Sequence, residues 1–172
     1  HKNLFDLTDV YIDHGYLINF DGRLDNRAKL LSSLVGSNQI SDANLVLAAF
    51  KKWGKDFIKH LVGQFSVVIH DLHKDQIYLA RDHLGTTPLY YYYKDGLLIY
   101  GTEPRFILAS KNIQKRIDSS RIKSFVLKSE DFYEKTYFKD LQKVKPAHLL
   151  AISNETIEDE RYFSFKYEPE IK

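Results

Sequence analysis

The stretch that decides the fold is Gly63-Gln-Phe-Ser-Val-Val-Ile-His-Asp-Leu-His-Lys-Asp-Gln-Ile-Tyr-Leu-Ala-Arg-Asp-His-Leu-Gly-Thr-Thr-Pro-Leu-Tyr-Tyr-Tyr-Tyr93. Phe65 to Ile69 is an almost unbroken apolar run, short enough to be a strand buried on both faces. Asp71 to Gln76 is polar and turn-like. Ile77 to Ala80 is a second apolar run, which Arg81-Asp-His-Leu-Gly85 breaks. Pro88 then opens a third, tyrosine-rich run. Three strands in immediate succession predict a continuous meander on which the other segments pack.

Upstream of it, Leu7 to Ile12 and Tyr16 to Phe20 flank the turn signal Asp13-His-Gly15 and predict a β-hairpin, whose second strand Asp21-Gly22 breaks. Asn26 is an N-cap for a helix over Arg27 to Leu34, with Leu30, Leu31 and Leu34 inward and Gly36 just past its end. Ser41 or Asp42 caps a second helix. Its wide apolar face is Leu45, Leu47, Ala48, Ala49, Phe50 and Trp53, and Gly54 stops it. Asp56 to Leu61 adds a further helical turn or two.

Downstream, Lys94-Asp-Gly96 is a hairpin turn leading into Leu97 to Tyr100. Thr102 caps a short helix through Ala109, with Pro104 in its first turn. Asp118 or Ser119 starts another helix through Leu127, with Ile122, Phe125 and Val126 inward. Tyr137 to Val144 is mixed, and Ala147 to Ile152 is a strand. The tail from Asn154 is charged, with Tyr162, Phe163, Phe165 and Tyr167 scattered along it. The order predicts an α+β fold, layered, with helices covering the faces of mostly antiparallel sheets.

A chain of 172 residues predicts one domain. Lys+Arg 25 against Asp+Glu 23 leaves no strongly basic footprint, which argues against a nucleic-acid partner. The sequence has no cysteine, so it offers no disulfide, thiolate metal site or cysteine nucleophile. No apolar run approaches the ~18 residues of a membrane span, and no signal peptide opens the chain, so no membrane partner and a cytoplasmic location are the default expectations. His70 and His73 lie three apart, so on a strand they face opposite ways; no metal site is predicted there. Tyr90 to Tyr93 would alternate between sheet faces as packing residues rather than a base-stacking platform. Lys111, Lys115, Arg116 and Arg121 read as a solvated face.

Five motifs in order resemble class II glutamine amidotransferases. Tyr16-Leu-Ile-Asn-Phe-Asp-Gly-Arg-Leu-Asp-Asn26 looks like the strand and loop carrying Asn-Gly-Glu-Ile-Tyr-Asn in that family. Ser41-Asp-Ala-Asn44 resembles its Ser-Asp-Thr-Glu helix start. Gly63 to Asp71 is similar to Gly-Met-Phe-Ala-Phe-Ala-Leu-Trp-Asp. Leu79-Ala-Arg-Asp-His-Leu-Gly85 with Pro88-Leu-Tyr-Tyr91 matches Leu-Ala-Arg-Asp-Arg-Phe-Gly and Lys-Pro-Leu-Tyr-Tyr. Tyr100-Gly-Thr-Glu103 looks like Phe-Ala-Ser-Glu. Within the superfamily, the Asp-Gly-Arg-Leu-Asp-Asn and Ser-Asp-Ala wording is most similar to asparagine-synthetase-related proteins, a group that includes lasso-peptide macrolactam cyclases and β-lactam synthetases.

The resemblance implies the αββα sandwich of N-terminal-nucleophile hydrolases. It implies an amidotransferase-like domain over residues 1–163 that lacks the family's opening strands. Residues 164–172 would then lead toward a synthetase domain, whose ATP and Mg²⁺ and whose Ser-Gly-Gly-x-Asp-Ser loop lie outside this chain. The family's N-terminal cysteine nucleophile has no counterpart here, where the first residue is His1, so no catalytic residue is assigned. By resemblance, Asp21 stands where the family has its oxyanion-hole asparagine, Gly22 is retained, Arg23 replaces a glutamate that binds the substrate amine, and Asp42 matches a second amine-binding carboxylate. Asp21 and Arg23 are expected to pair with each other or with Asp42 across an emptied pocket.

Three readings follow. One is a degenerate domain acting as scaffold and docking surface for its own synthetase domain, with a precursor peptide or leader-binding protein as further partner and a homodimer as an allowed assembly. Another is a true glutaminase whose cysteine segment is not in these residues. The third is a binding module unrelated to ligation.

Overall fold

The computed structural model describes residues 10–34, 40–127, 136–153 and 156–165. The predicted hairpin is β1 (Val10–Asp13) and β2 (Tyr16–Leu24). Helices α1 (Arg27–Leu34) and α2 (Asp42–Trp53) follow, then a 3₁₀ helix over Gly54–His60. The deciding stretch gives β3 (Gly63–Asp71), β4 (Gln76–Arg81) and β5 (Tyr90–Lys94), and β6 is Leu97–Gly101. Then come α3 (Pro104–Leu108), α4 (Ser119–Leu127), β7 (Gln142–Lys143), β8 (His148–Ser153) and β9 (Thr156–Arg161).

The strands form two antiparallel sheets, not one meander. The larger has the order β1-β2-β3-β4-β8-β9, and the smaller β6-β5-β7. β3 and β4 pair as expected, but β5 leaves for the second sheet and β8 takes the place beside β4. The turn Arg81 to Pro88 is therefore a crossover between layers. The hairpin between β5 and β6 is as read, with Asp95 and Gly96 at φ 51 and 75, the left-handed conformation that an Asp-Gly turn supplies.

Three packed layers of side chains define four layers of backbone. Leu30, Leu45, Val46, Phe50 and Phe57 from the helices meet Ile18, Phe65, Val67 and Ile69 on one face of the larger sheet. Val68, Leu79, Leu150 and Ile152 on its other face meet Leu89, Tyr91 and Val144 of the smaller sheet. Tyr92 on the far side of that sheet packs with Ile107, Leu108 and Ile113. The order is helix, sheet, sheet, helix. β3 is buried on both faces because it contributes to two cores at once, and Tyr91 and Tyr92 fill opposite faces of β5, as alternation requires.

Local expectations fail where tertiary contacts outweigh local signals. β2 runs unbroken through Asp21-Gly22, because β3 pairs with it along its whole length. Ser41 does cap α2, accepting from the Asn44 amide. Asn26 does not cap α1 with its side chain; its amide nitrogen donates to the His60 carbonyl and its oxygen accepts from the Val62 amide, pinning the helical layer to the entry of β3. Glu103, not Thr102, precedes α3, without a side-chain cap. On α4, Ile122 and Val126 are 46% and 72% exposed, while Arg121 is only 4% exposed and lies by the Tyr137 ring. Arg121 is therefore no part of a solvated face. Part of the charged tail, Thr156 to Arg161, is β9, a mostly exposed edge strand. Gly36, Tyr167 and residues 166–172 lie outside the described residues.

Candidate functional site

Ile18 and Leu24 point into the helix-side core, so Asp21 and Arg23 belong to the opposite face, the one that looks between the sheets. Register places Asp21 beside Ser66 on β3, and Ser66 beside Arg81 on β4. Gly22, between them, has φ 134, and an added Cβ would stand 2.0 Å from the Gln64 carbonyl oxygen and 2.7 Å from Phe65 Cα. Only glycine fits where β2 and β3 approach so closely.

Asp42 opens α2 at the end of this strand. Its Oδ2 accepts the Leu24 amide at 3.1 Å. Its Oδ1 takes the Arg27 guanidinium, whose other arm donates to the Ile40 carbonyl. The fold thus brings Asp42 to the Leu24 amide at the end of β2. The expected pairing is overturned, however. Arg23 is exposed and sits 3.3 Å from Asp25, and Asp42 is held by Arg27. Geometry decides this: Arg23 leaves β2 on the sheet face, whereas Arg27 emerges from the first turn of α1 beside the start of α2. The sequence reading missed Arg27. One signal was available: a cation in the first turn of a helix opposes the helix dipole and calls for a nearby carboxylate.

Next to this row lies a rigid support. Arg81 and Asp82 are almost fully buried. Arg81 donates to the carbonyls of Thr87 and Val144, each at 2.7 Å, and to that of Gly85. Asp82 accepts from the amides of Phe65, Leu84, Thr86 and Thr87 and from the Thr86 hydroxyl at 2.7 Å. Burial pushes the Asp82 carboxyl upward, but the bonds from Thr86, Thr87 and Leu84 outweigh it and hold the group below the usual carboxylate range. The Tyr162 hydroxyl closes over the turn, donating to the Arg81 carbonyl at 2.5 Å. The Ala-Arg-Asp-His-Leu-Gly motif is the knot that turns the chain from one sheet to the other.

His73 does not join His70; its Nε2 lies 2.9 Å from the His14 carbonyl oxygen. Among the described residues, no three His, Cys, Asp or Glu side chains are grouped to hold a metal ion, and no helix is long and apolar enough to cross a membrane.

Two antiparallel sheets sandwiched between helices are the layers of an N-terminal-nucleophile-type fold. The chain belongs to the glutamine amidotransferase domain family, whose model matches residues 9–163. It is similar to asparagine synthetase (glutamine-hydrolyzing) 3 of Bacillus subtilis, 28% identical over 92% of this chain and 27% of that protein. It is also similar to an amidase of Gibberella zeae, 34% identical over 74% of this chain and 18% of that protein. The chain thus spans about a quarter or less of these relatives. Among solved structures, glutamine phosphoribosylpyrophosphate amidotransferase of B. subtilis superposes with a TM-score of 0.56 over 94% of this chain and 32% of its own, at 19% identity. A glutamine aminotransferase class-II domain protein from Silicibacter pomeroyi gives 0.55 over 90% of this chain and 71% of its own, at 12% identity. These two carry the fold alone. Together the matches identify a class II glutamine amidotransferase-like domain of the asparagine-synthetase-related kind.

Proposed function

We propose that this is a glutaminase-like domain that does not hydrolyse glutamine and serves as scaffold and docking surface in an ATP-dependent, amide-forming protein of the asparagine-synthetase-related group, a lasso-peptide cyclase being the kind of parent it fits. The observation that carries the reading is the Arg27 guanidinium seated on Asp42, taken with Asp21 and Arg23 at the positions that the resemblance assigns to the substrate pocket. By resemblance to the family, Asp21 replaces a hydrogen-bond donor to the oxyanion. An ionised carboxylate only accepts, and losing one such donor costs about 2.7–4 kcal/mol of transition-state stabilisation before any charge repulsion is counted. Arg23 puts a cation where the family places a carboxylate for the substrate amine. Asp42, the remaining carboxylate, already has both oxygens engaged and its charge matched by Arg27. A substrate ammonium would have to displace that guanidinium.

On this reading ATP and Mg²⁺ belong to the synthetase domain of the parent, which is also the domain's first partner, and a precursor peptide or leader-binding protein is the second. One observation favours the glutaminase alternative: Gly22 is kept, with the close backbone approach to Gln64 that requires it. The two are separated by glutamate release from glutamine with the full-length protein. Background turnover, unaffected by a thiol-directed glutamine analogue, is expected. Turnover abolished by that analogue would establish the alternative.

A further inference from the structure

A cavity of about 450 Å³ opens at the β7 end of the sandwich, and none of Asp21, Gly22, Arg23 or Asp42 lines it. Its size falls in the range of small-molecule sites, ~300–1,000 Å³. Its floor is the apolar layer between the sheets, where Leu141, Val144 and Leu150 are buried. Its polar lining is dominated by Lys139, Lys143 and Lys145.

The charges on that lining are not balanced. Asp159 is committed, with one oxygen 3.4 Å from Lys145 and the other 2.5 Å from His148. Asp118 accepts from the amide and hydroxyl of Ser120, at 3.0 and 2.6 Å, and Lys139 is the cation that attracts its charge. Lys143 has no carboxylate partner among the described residues; its ammonium lies over the Tyr90 ring, 5.8 Å from the centroid. Burial, and then the repulsion of Arg81, lower its proton affinity. Arg81 itself spends its donors on neutral carbonyls and adds no anion. The Gln142 side-chain oxygen is taken by the Tyr91 hydroxyl at 2.5 Å, which leaves its amide nitrogen as a donor. A half-buried cation without a counter-ion is costly, and an anion bound there would form charge-assisted hydrogen bonds.

We infer that this cavity binds a small organic anion, a carboxylate with an apolar body, whose charge is received by Lys143 and whose body lies on Leu141, Val144 and Leu150. This goes beyond the amidotransferase reading and holds whether or not glutamine is hydrolysed. Amide NMR of the chain, titrated with hexanoate, hexanamide and inorganic phosphate, tests it. Hexanoate should give saturable shifts centred on Gln142, Lys143 and Val144, while hexanamide gives none. Lys143→Gln should weaken hexanoate roughly tenfold, the loss of one hydrogen bond to a charged group. Lys143→Met, which keeps the apolar stem and removes the charge, is the second variant if Lys143→Gln does not fold, and should weaken it as well. Equal response to hexanamide, no saturation with hexanoate, unchanged affinity in a folded variant, or phosphate binding in place of hexanoate would each overturn the inference.

Discussion

At the scale of single residues, the chain separates groups that hold the fold from groups at the candidate site. Asp82 is the clearest of the first kind. It neutralises the amides of a crossover turn that has no secondary-structure ladder of its own. Asp82→Ala strands several of these buried donors, each worth about 1–3 kcal/mol, and should lower stability by at least about 3 kcal/mol, measured by urea unfolding. The same group sets a pH dependence. Its folded-state proton affinity is depressed, so its contribution is complete above the ordinary carboxylate value of about 3.9 and is lost as pH falls through the lower folded value. Asp82→Asn, compared with the parent by thermal melting across acid pH, should flatten that part of the profile. Asn26 makes a smaller case. Its side chain ties the His60 carbonyl and the Val62 amide, so Asn26→Ala should cost about 1–2 kcal/mol in the same unfolding assay.

At the scale of elements, the strands and helices were legible wherever a local pattern was strong. α1, α2, β3, β4 and the β5–β6 hairpin fall within a residue or two of their sequence boundaries. The failures have physical causes. β9 reads as a charged tail because an edge strand with both faces in solvent keeps no apolar alternation, and its charges guard the open edge. α4 shows an apolar pattern, yet it turns Arg121 inward toward Tyr137, a long-range contact that no periodicity encodes. The Asp21-Gly22 break was the reverse error. Glycine marks a turn or a close approach of backbones, and here it is the approach. Gly22→Ala should therefore distort the β2–β3 pairing and destabilise by about 2–4 kcal/mol. Hydrogen exchange would show protection lost first at Phe20 to Leu24 and Gly63 to Val67. If the substitution is tolerated without loss, the approach of Gly22 to Gln64 is not what fixes the strand.

At the scale of the molecule, the two-sheet sandwich was legible through the family resemblance, whereas the local pattern alone showed only layers. Apolar runs separated by turns look alike whether the chain doubles back within a sheet or crosses to another. The pairing of β4 with β8, distant in sequence, is what decides. Of the candidate site, Asp42 does reach the end of β2, at the Leu24 amide, but its ion pair was not legible, because Arg27 lies on another element. The layers themselves make a global prediction. Burial pushes the Tyr91 phenol, between the sheets, up to about 12, and raises Tyr78 and Tyr162 above the ordinary tyrosine value as well. A group whose folded-state value is raised gives full stabilisation below its unfolded value, near pH 10, and loses it as pH climbs toward the folded one. At about 1.4 kcal/mol per pH unit, Tyr91 alone removes on the order of 3 kcal/mol by the time pH reaches about 12. Stability should thus fall steeply from pH ~10 upward, and the buried tyrosines should ionise only as the fold opens. Tyrosinate absorbance and circular dichroism followed together along an alkaline titration check this. Coincident transitions are expected for the buried set, after an earlier phase from exposed tyrosines. Tyrosinate absorbance reaching its full amplitude near pH 10 with the circular dichroism unchanged would show that these phenols are not sealed between the layers.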